Sequence, residues 1–122
     1  MHIISSADES KNKAEIKALF EEYLDWVIEI VNQNYGGNFI ASEYLDQDML
    51  TLKKFMPPSG RILLSQSGNS ISGIVCLKQL TPQIGEIKRM YVRPQFRKMG
   101  IGHLLVEKVV EESLSIGYQK LR

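Results

Sequence analysis

The chain has 122 residues, 43% hydrophobic and 24% charged, which suits one soluble globular domain with its own core. Fifteen basic residues against fourteen acidic ones leave a formal charge of +1, without the strongly basic footprint of a nucleic-acid-binding domain. One cysteine, Cys76, excludes an internal disulfide; Met1–Ser10 does not read as a signal peptide and no run nears the ~20 apolar residues of a membrane span, so a cytoplasmic protein is expected.

In chain order, His2-Ile3-Ile4 reads as a short first strand, and Asp8 or Ser10 is placed to cap the helix that follows. From Ala14 to Val31 the apolar positions Ile16, Leu19, Phe20, Tyr23, Leu24, Val27, Ile30 and Val31 repeat at three and four residues, one face of a helix. Gly36-Gly37 ends it. Ser42 is expected to cap a second helix through Tyr44, Leu45, Met49, Leu52 and Phe55, stopped by Pro57-Pro58. Strands are expected at Ile62–Leu64, Ile71–Leu80 and Ile84–Val92, joined by turns at Ser67–Ser70 and Thr81-Pro82. Gly100–Ser115 carries a broad apolar helical face, Gly117 closes that helix, and Tyr118–Arg122 begins another strand. The order β-α-α-β-β-β-α-β describes an α+β domain over 1–122 with a mixed, mostly antiparallel sheet flanked by helices.

The chemistry gathers at a strand, a loop containing Arg97-x-x-Gly100-x-Gly102, and a helix. The first turn of a helix leaves backbone N–H groups without partners, and the helix dipole adds partial positive charge there. A phosphate fits such a place. Glycines at 100 and 102 let a bulky anion approach the backbone, and Arg97 and Lys98 add cationic donors. A Walker A loop needs Lys-Ser/Thr after its last glycine, where this chain has His103. The dinucleotide fingerprint needs a third glycine and the first strand-to-helix turn, and this chain offers neither.

The run Met90-Tyr-Val-Arg-Pro-x-x-Arg97-x-x-Gly100-x-Gly102 resembles motif A of the GNAT (Gcn5-related N-acetyltransferase) family, with core Gln/Arg-x-x-Gly-x-Gly/Ala. The resemblance extends upstream through helix, helix, hairpin and strand over nearly the whole chain. It implies an acyltransferase with acetyl-CoA as co-substrate, its pyrophosphate held by the amides of Lys98, Met99, Gly100, Ile101 and Gly102. Arg97 would close that cradle and His103 add a side-chain contact. The pantetheine arm would lie along Met90, Tyr91 and Val92 as an added strand, with main-chain contacts to Met90 and Val92. The family strand is bulged here, which would make the Met90 amide the donor to the acetyl carbonyl and Glu86, four residues earlier, the base for a primary amine of a small molecule or peptide. Tyr118 is in the wrong place for the family's acid, so none is assigned. The family's next helix and closing strands have no counterpart before Arg122, so a C-terminally incomplete domain and a homodimer are expected.

Plainer readings stand beside these. Arg97 and Lys98 also suit a solvated surface, and Glu86 also suits a simple partner for Lys88 or Arg89. Tyr91, Tyr23 and Trp26 are expected to pack, and Cys76 to be a buried inert thiol. In the family, the loop between the first two helices borders the acceptor, which makes Asn34–Asn38 a candidate substrate edge. His2 and His103 lack further ligands at suitable spacing, so no metal site is expected. A non-catalytic acyl-CoA-binding module and a cofactor-free structural protein are the competing functions; neither a nucleic-acid partner nor a membrane is expected.

Overall fold

The computed structural model describes residues 1–122. Its elements follow the predicted order: β1 (His2–Ser6), α1 (Lys13–Tyr35), α2 (Ala41–Leu50), a 3-10 turn at Leu52–Phe55, β2 (Arg61–Ser67), β3 (Ser70–Thr81), β4 (Ile84–Val92), α3 (Ile101–Ile116) and β5 (Lys120–Leu121). The strands form one sheet in the order β1-β2-β3-β4-β5. The first four pair antiparallel, and β5 joins β4 in parallel after the α3 crossover.

Strand alternation divides the core in two, because successive side chains leave opposite faces. Ile62, Leu64, Ile74, Cys76 and Tyr91 meet Ile16, Leu19, Phe20 and Leu24 of α1 and Leu45 of α2 on one face. Leu63, Val75 and Leu77 meet Ile101, Leu105 and Val109 of α3 on the other. Residues 62–64 and 74–77 are buried on both faces, so they read as continuous apolar runs rather than alternating ones. Gly68, at φ +63°, turns the β2–β3 hairpin, and a bulge beside it places Ser72 in a buried hydroxyl cluster with Ser65 and Ser67, each 2.8 Å away.

Three local expectations are corrected. Asp8 does not cap α1: its carboxylate accepts from the amides of Ser10 and Lys11 at 3.0 and 2.8 Å, closing a separate turn, and α1 starts at Lys13. The Lys11 amide and the Ser10 hydroxyl hold the Asp8 carboxyl below its ordinary pKa. Ser42 lies inside the first turn of α2, whose N-cap position is Ile40 with no side-chain cap. Asn32 instead fixes the approach to α2 by bonding both the amide and the carbonyl of Phe39 at 3.0 Å. The second helix also breaks at Thr51, whose hydroxyl donates to the Gln47 carbonyl, and only a 3-10 turn continues to Phe55.

Cys76 is fully buried, and desolvation pushes its thiol far above the ordinary range. It is expected to react with an aromatic disulfide reagent about 1000-fold more slowly than a free thiol, because attack requires global opening. Rapid labelling of the native protein would contradict the packing described here.

Candidate functional site

β4 has two neighbours along its first half and one along its second. β5 pairs only with its start, through bonds from Ile87 N to Arg122 O (2.7 Å) and from Arg122 N to Gly85 O (2.9 Å). From Lys88 to Val92 the β5 side of the strand has no strand partner. Arg93 N donates to Ser72 O across β3, so by alternation the polar groups of Val92 face the open side. The carbonyl of Val92 is met there by Arg97 Nε at 2.9 Å.

The register on the β3 side slips at the same place. Ile74 stands opposite Tyr91 and Cys76 opposite Lys88, leaving Arg89 and Met90 together across from Val75. This is a β-bulge. Arg89 adopts φ +57°, and its guanidinium makes a two-pronged contact with Asp48 of α2, both bonds 2.8 Å. Asp48 is 4% exposed, and its hydrogen bonds raise the Arg89 pKa further. The Arg89 fork also lies 5.6 Å from the centre of the Tyr23 ring. Sequence reading missed this pair, whose members are 41 positions apart.

Beyond Pro94 the chain passes through a short 3-10 turn and enters α3. Lys98 and Gly100 both take left-handed backbone, φ +68° and +81°, while Met99 and Ile101 do not. Alternating handedness of this kind makes a concave run of N–H groups suited to anions. The amides of residues 98–103 donate to no protein acceptor, whereas Arg97 N bonds Pro94 O and Leu104 N bonds Gly100 O on either side. A β-carbon on Gly102 would meet only the flexible end of Met90, at 3.4 Å, and one on Gly100 would meet nothing within 4 Å. Six unpartnered amides thus gather at the positive end of a sixteen-residue helix, an arrangement of the kind that suits an anion.

The sequence of residues 16–122 matches the model of the acetyltransferase (GNAT) family. The chain belongs to that family. An uncharacterised N-acetyltransferase of Schizosaccharomyces pombe is 27% identical over 120 residues, covering 97% of this chain and 69% of that protein. Among solved structures, a putative acetyltransferase from Pyrococcus furiosus superposes with a TM-score of 0.70 at 19% identity, covering 100% of this chain and 80% of the other. An aminoglycoside 6'-N-acetyltransferase complexed with coenzyme A gives a TM-score of 0.64 at 20% identity, covering 95% of this chain and 57% of that one. At these identities the structures share the GNAT fold.

The predicted site residues fall into three groups. Residues 98–103 of this GNAT chain form the amide run with Arg97 just before it, and Met90 and Val92 pack on the α3 side of β4. Tyr91 faces the other way, against Tyr23 and Trp26, and burial followed by the nearby Glu22 raises its phenol pKa. Trp26 is not a core residue as expected: it is 46% exposed and lies at the rim, with the Arg97 guanidinium 5.3 Å from its ring. One helical step from Val27, it falls off the inward stripe.

The side chains of Glu86 and His103 have partners of their own. Glu86 lies 3.7 Å from Lys78 and 3.9 Å from Lys88, ion pairs that are not hydrogen bonds. His103 Nε2 lies 2.8 Å from Glu107 one turn along α3, on an exposed face. Tyr118 donates its hydroxyl to the Ser59 carbonyl and packs under α3. No group of His, Cys, Asp and Glu suits a metal ion, and no helix is long and apolar enough to cross a membrane.

Gly102 separates a packing role from a binding role. It has ordinary helical backbone and room for a methyl group, so Gly102→Ala is expected to raise thermal stability by up to ~1 kcal/mol through helix propensity. The same methyl group would crowd an anion on the amide run, and affinity for coenzyme A is expected to fall about tenfold or more. Calorimetric titration and a melting curve read both effects; an alanine variant with unchanged affinity would argue against the cradle.

Proposed function

We propose that this GNAT protein transfers an acetyl group from acetyl-CoA to a primary amine of a small molecule or peptide, by direct attack within a ternary complex. The observation that carries the reading is the unbroken run of unpartnered amides at 98–103, at the start of α3 and directly after the bulged end of β4. When bound, acetyl-CoA supplies the activated acetyl thioester.

The amides of Lys98, Met99, Gly100, Ile101 and Gly102 hold the pyrophosphate, with Arg97 and Lys98 adding side-chain charge and His103 a side-chain contact. The end of β4 at Met90, Tyr91 and Val92 receives the pantetheine arm. Arg97 has a double part here. Its Nε bonds the Val92 carbonyl in the free protein, and turning to a phosphate would release that acceptor to the arm. The bulge presents the Met90 amide to the acetyl carbonyl oxygen as negative charge builds on it, a type of contact worth ~10²–10³ in rate.

An amine of pKa ~10 is mostly protonated at neutral pH and must lose its proton before attack. Glu86 is the proposed base. Four residues of strand span roughly 13 Å, so its carboxylate acts through water rather than by touching an amine at Met90. The segment Asn34–Asn38, where α1 ends at Tyr35 and turns toward α2, borders the acceptor side. A homodimer belongs to the same proposal, supported by Val106, Val110 and Leu114, an exposed apolar row at four-residue spacing on α3. Light scattering at tens of micromolar is expected to give twice the chain mass, and a monomer would remove that part.

Glu86→Gln keeps shape and removes basicity. It is expected to lower kcat by about 10²-fold while leaving the dissociation constant for acetyl-CoA within about twofold. Turnover equal to that of the unmodified protein would take Glu86 out of the base role.

A further inference from the structure

The face of the sheet under α1 and α2 holds an imbalance of charge that the fold does not use. Lys78 of β3 and Lys88 of β4 converge on one oxygen of Glu86, at 3.7 and 3.9 Å. Asp48 has both oxygens engaged by the Arg89 fork. Lys54, on the 3-10 turn that packs on β3, has no carboxylate within ion-pair distance, and its nearest aromatic contact is the Phe55 ring, 5.1 Å away. Four cations therefore meet two carboxylates, one of them consumed.

We infer that Lys54, Lys78 and Lys88 form an oxyanion-binding subsite beside Glu86, so that the acceptor is a small primary amine carrying a phosphate or carboxylate group. This inference rests on the acetyltransferase reading and specifies its substrate. The three lysines come from separate elements: Lys78 and Lys88 converge on one Glu86 oxygen from adjacent strands, and Lys54 on the 3-10 turn lies near enough to feel both charges. Burial, and then the positive charges of Lys88, Arg89 and Lys78, make Lys54 a weaker base than usual, with Asp48 opposing. Like charges held together at a partly desolvated surface repel, and a bound oxyanion relieves that repulsion while accepting hydrogen bonds from each ammonium. Lys78 and Lys88 are not hydrogen-bonded to Glu86 at the observed distances, so their protons remain free to donate. An anion anchored here tethers the far end of an acceptor on the face that carries the proposed base.

Inorganic phosphate, titrated into the protein with the lysine side chains labelled for NMR and coenzyme A saturating, is the direct probe. The coenzyme occupies the amide run at 98–103, which would otherwise bind the same ion. The signals of Lys54, Lys78 and Lys88 are expected to move together and saturate, with those of the exposed neighbour Lys53 unmoved. Lys54→Ala and Lys88→Ala should each weaken phosphate binding about tenfold, and Lys53→Ala should not. Uniform, non-saturating shifts across all lysines would overturn the subsite. In a second arm, phosphoethanolamine and β-alanine are compared with ethanolamine as acceptors. The anionic amines are expected to show at least tenfold higher kcat/KM, the margin disappearing in Lys54→Ala, and the better of the two identifies the oxyanion. Equal kcat/KM for all three with phosphate binding intact would overturn the link to the acceptor. Absence of coenzyme binding would instead count against the acetyltransferase reading, while the phosphate titration on the free protein would still decide the subsite.

Discussion

Arg89 carries left-handed backbone in the middle of an extended strand, a conformation that costs a residue with a β-carbon about 1–2 kcal/mol. It persists because the side chain has somewhere specific to go. The planar guanidinium meets both oxygens of Asp48, which is almost fully buried, and rests against the Tyr23 ring. Removing either partner of such a pair leaves an uncompensated buried charge, a loss of about 3–5 kcal/mol, larger than the backbone strain it opposes. The pair thus does what a lysine in place of Arg89 could not, since only a rigid fork fixes direction as well as charge. The bulge, and with it the turn of Met90 toward the α3 side, is held by that anchor on α2.

The two layers of helix then have different tasks. α3 lies against Leu63, Val75 and Leu77, and its N-terminus supplies the amides. α1 and α2 lie against the opposite face and supply Asp48, Glu22 and the aromatic rim. The bulge is the one place where both layers act on the same few residues, with Arg89 and Tyr91 directed to α1 and α2 and Met90 and Val92 to α3. In the proposed reaction, the bulge is where a cofactor on one side of β4 would meet an acceptor on the other. Glu22 strengthens this junction by accepting from Arg93 at 2.9 Å and from the Tyr91 hydroxyl at 3.4 Å, holding the end of β4 against α1 just before the run of free amides begins.

Much of this was legible in the sequence because it depends on local pattern. The three-and-four spacing from Ile16 to Leu24 marks the buried stripe of α1, and the glycines at 100 and 102 mark the start of α3. What was not legible depends on distant partners or on small differences in phase. Nothing near Asp48 announces a partner 41 residues on. Trp26 fails as a core residue by one position in the helical repeat, and Ser42 fails as a cap because the Asn32 side chain sets where α2 begins. Lys98 is the most instructive case. Its left-handed backbone helps shape the amide run, yet a lysine, unlike a glycine, gives no sign of such a conformation.

Those two glycines stand on different physical grounds. Gly100 takes φ +81° with empty space around it, so a side chain there would be opposed by the backbone alone. Gly102 is ordinary helix, with only the mobile end of Met90 close by, so the free protein has no need of glycine at that position and would gain helix propensity from alanine. A residue that the fold alone would replace is explained by something outside the fold. The diphosphate proposal supplies that explanation, because an anion at van der Waals distance from the first turn of α3 needs the volume that a methyl group would fill.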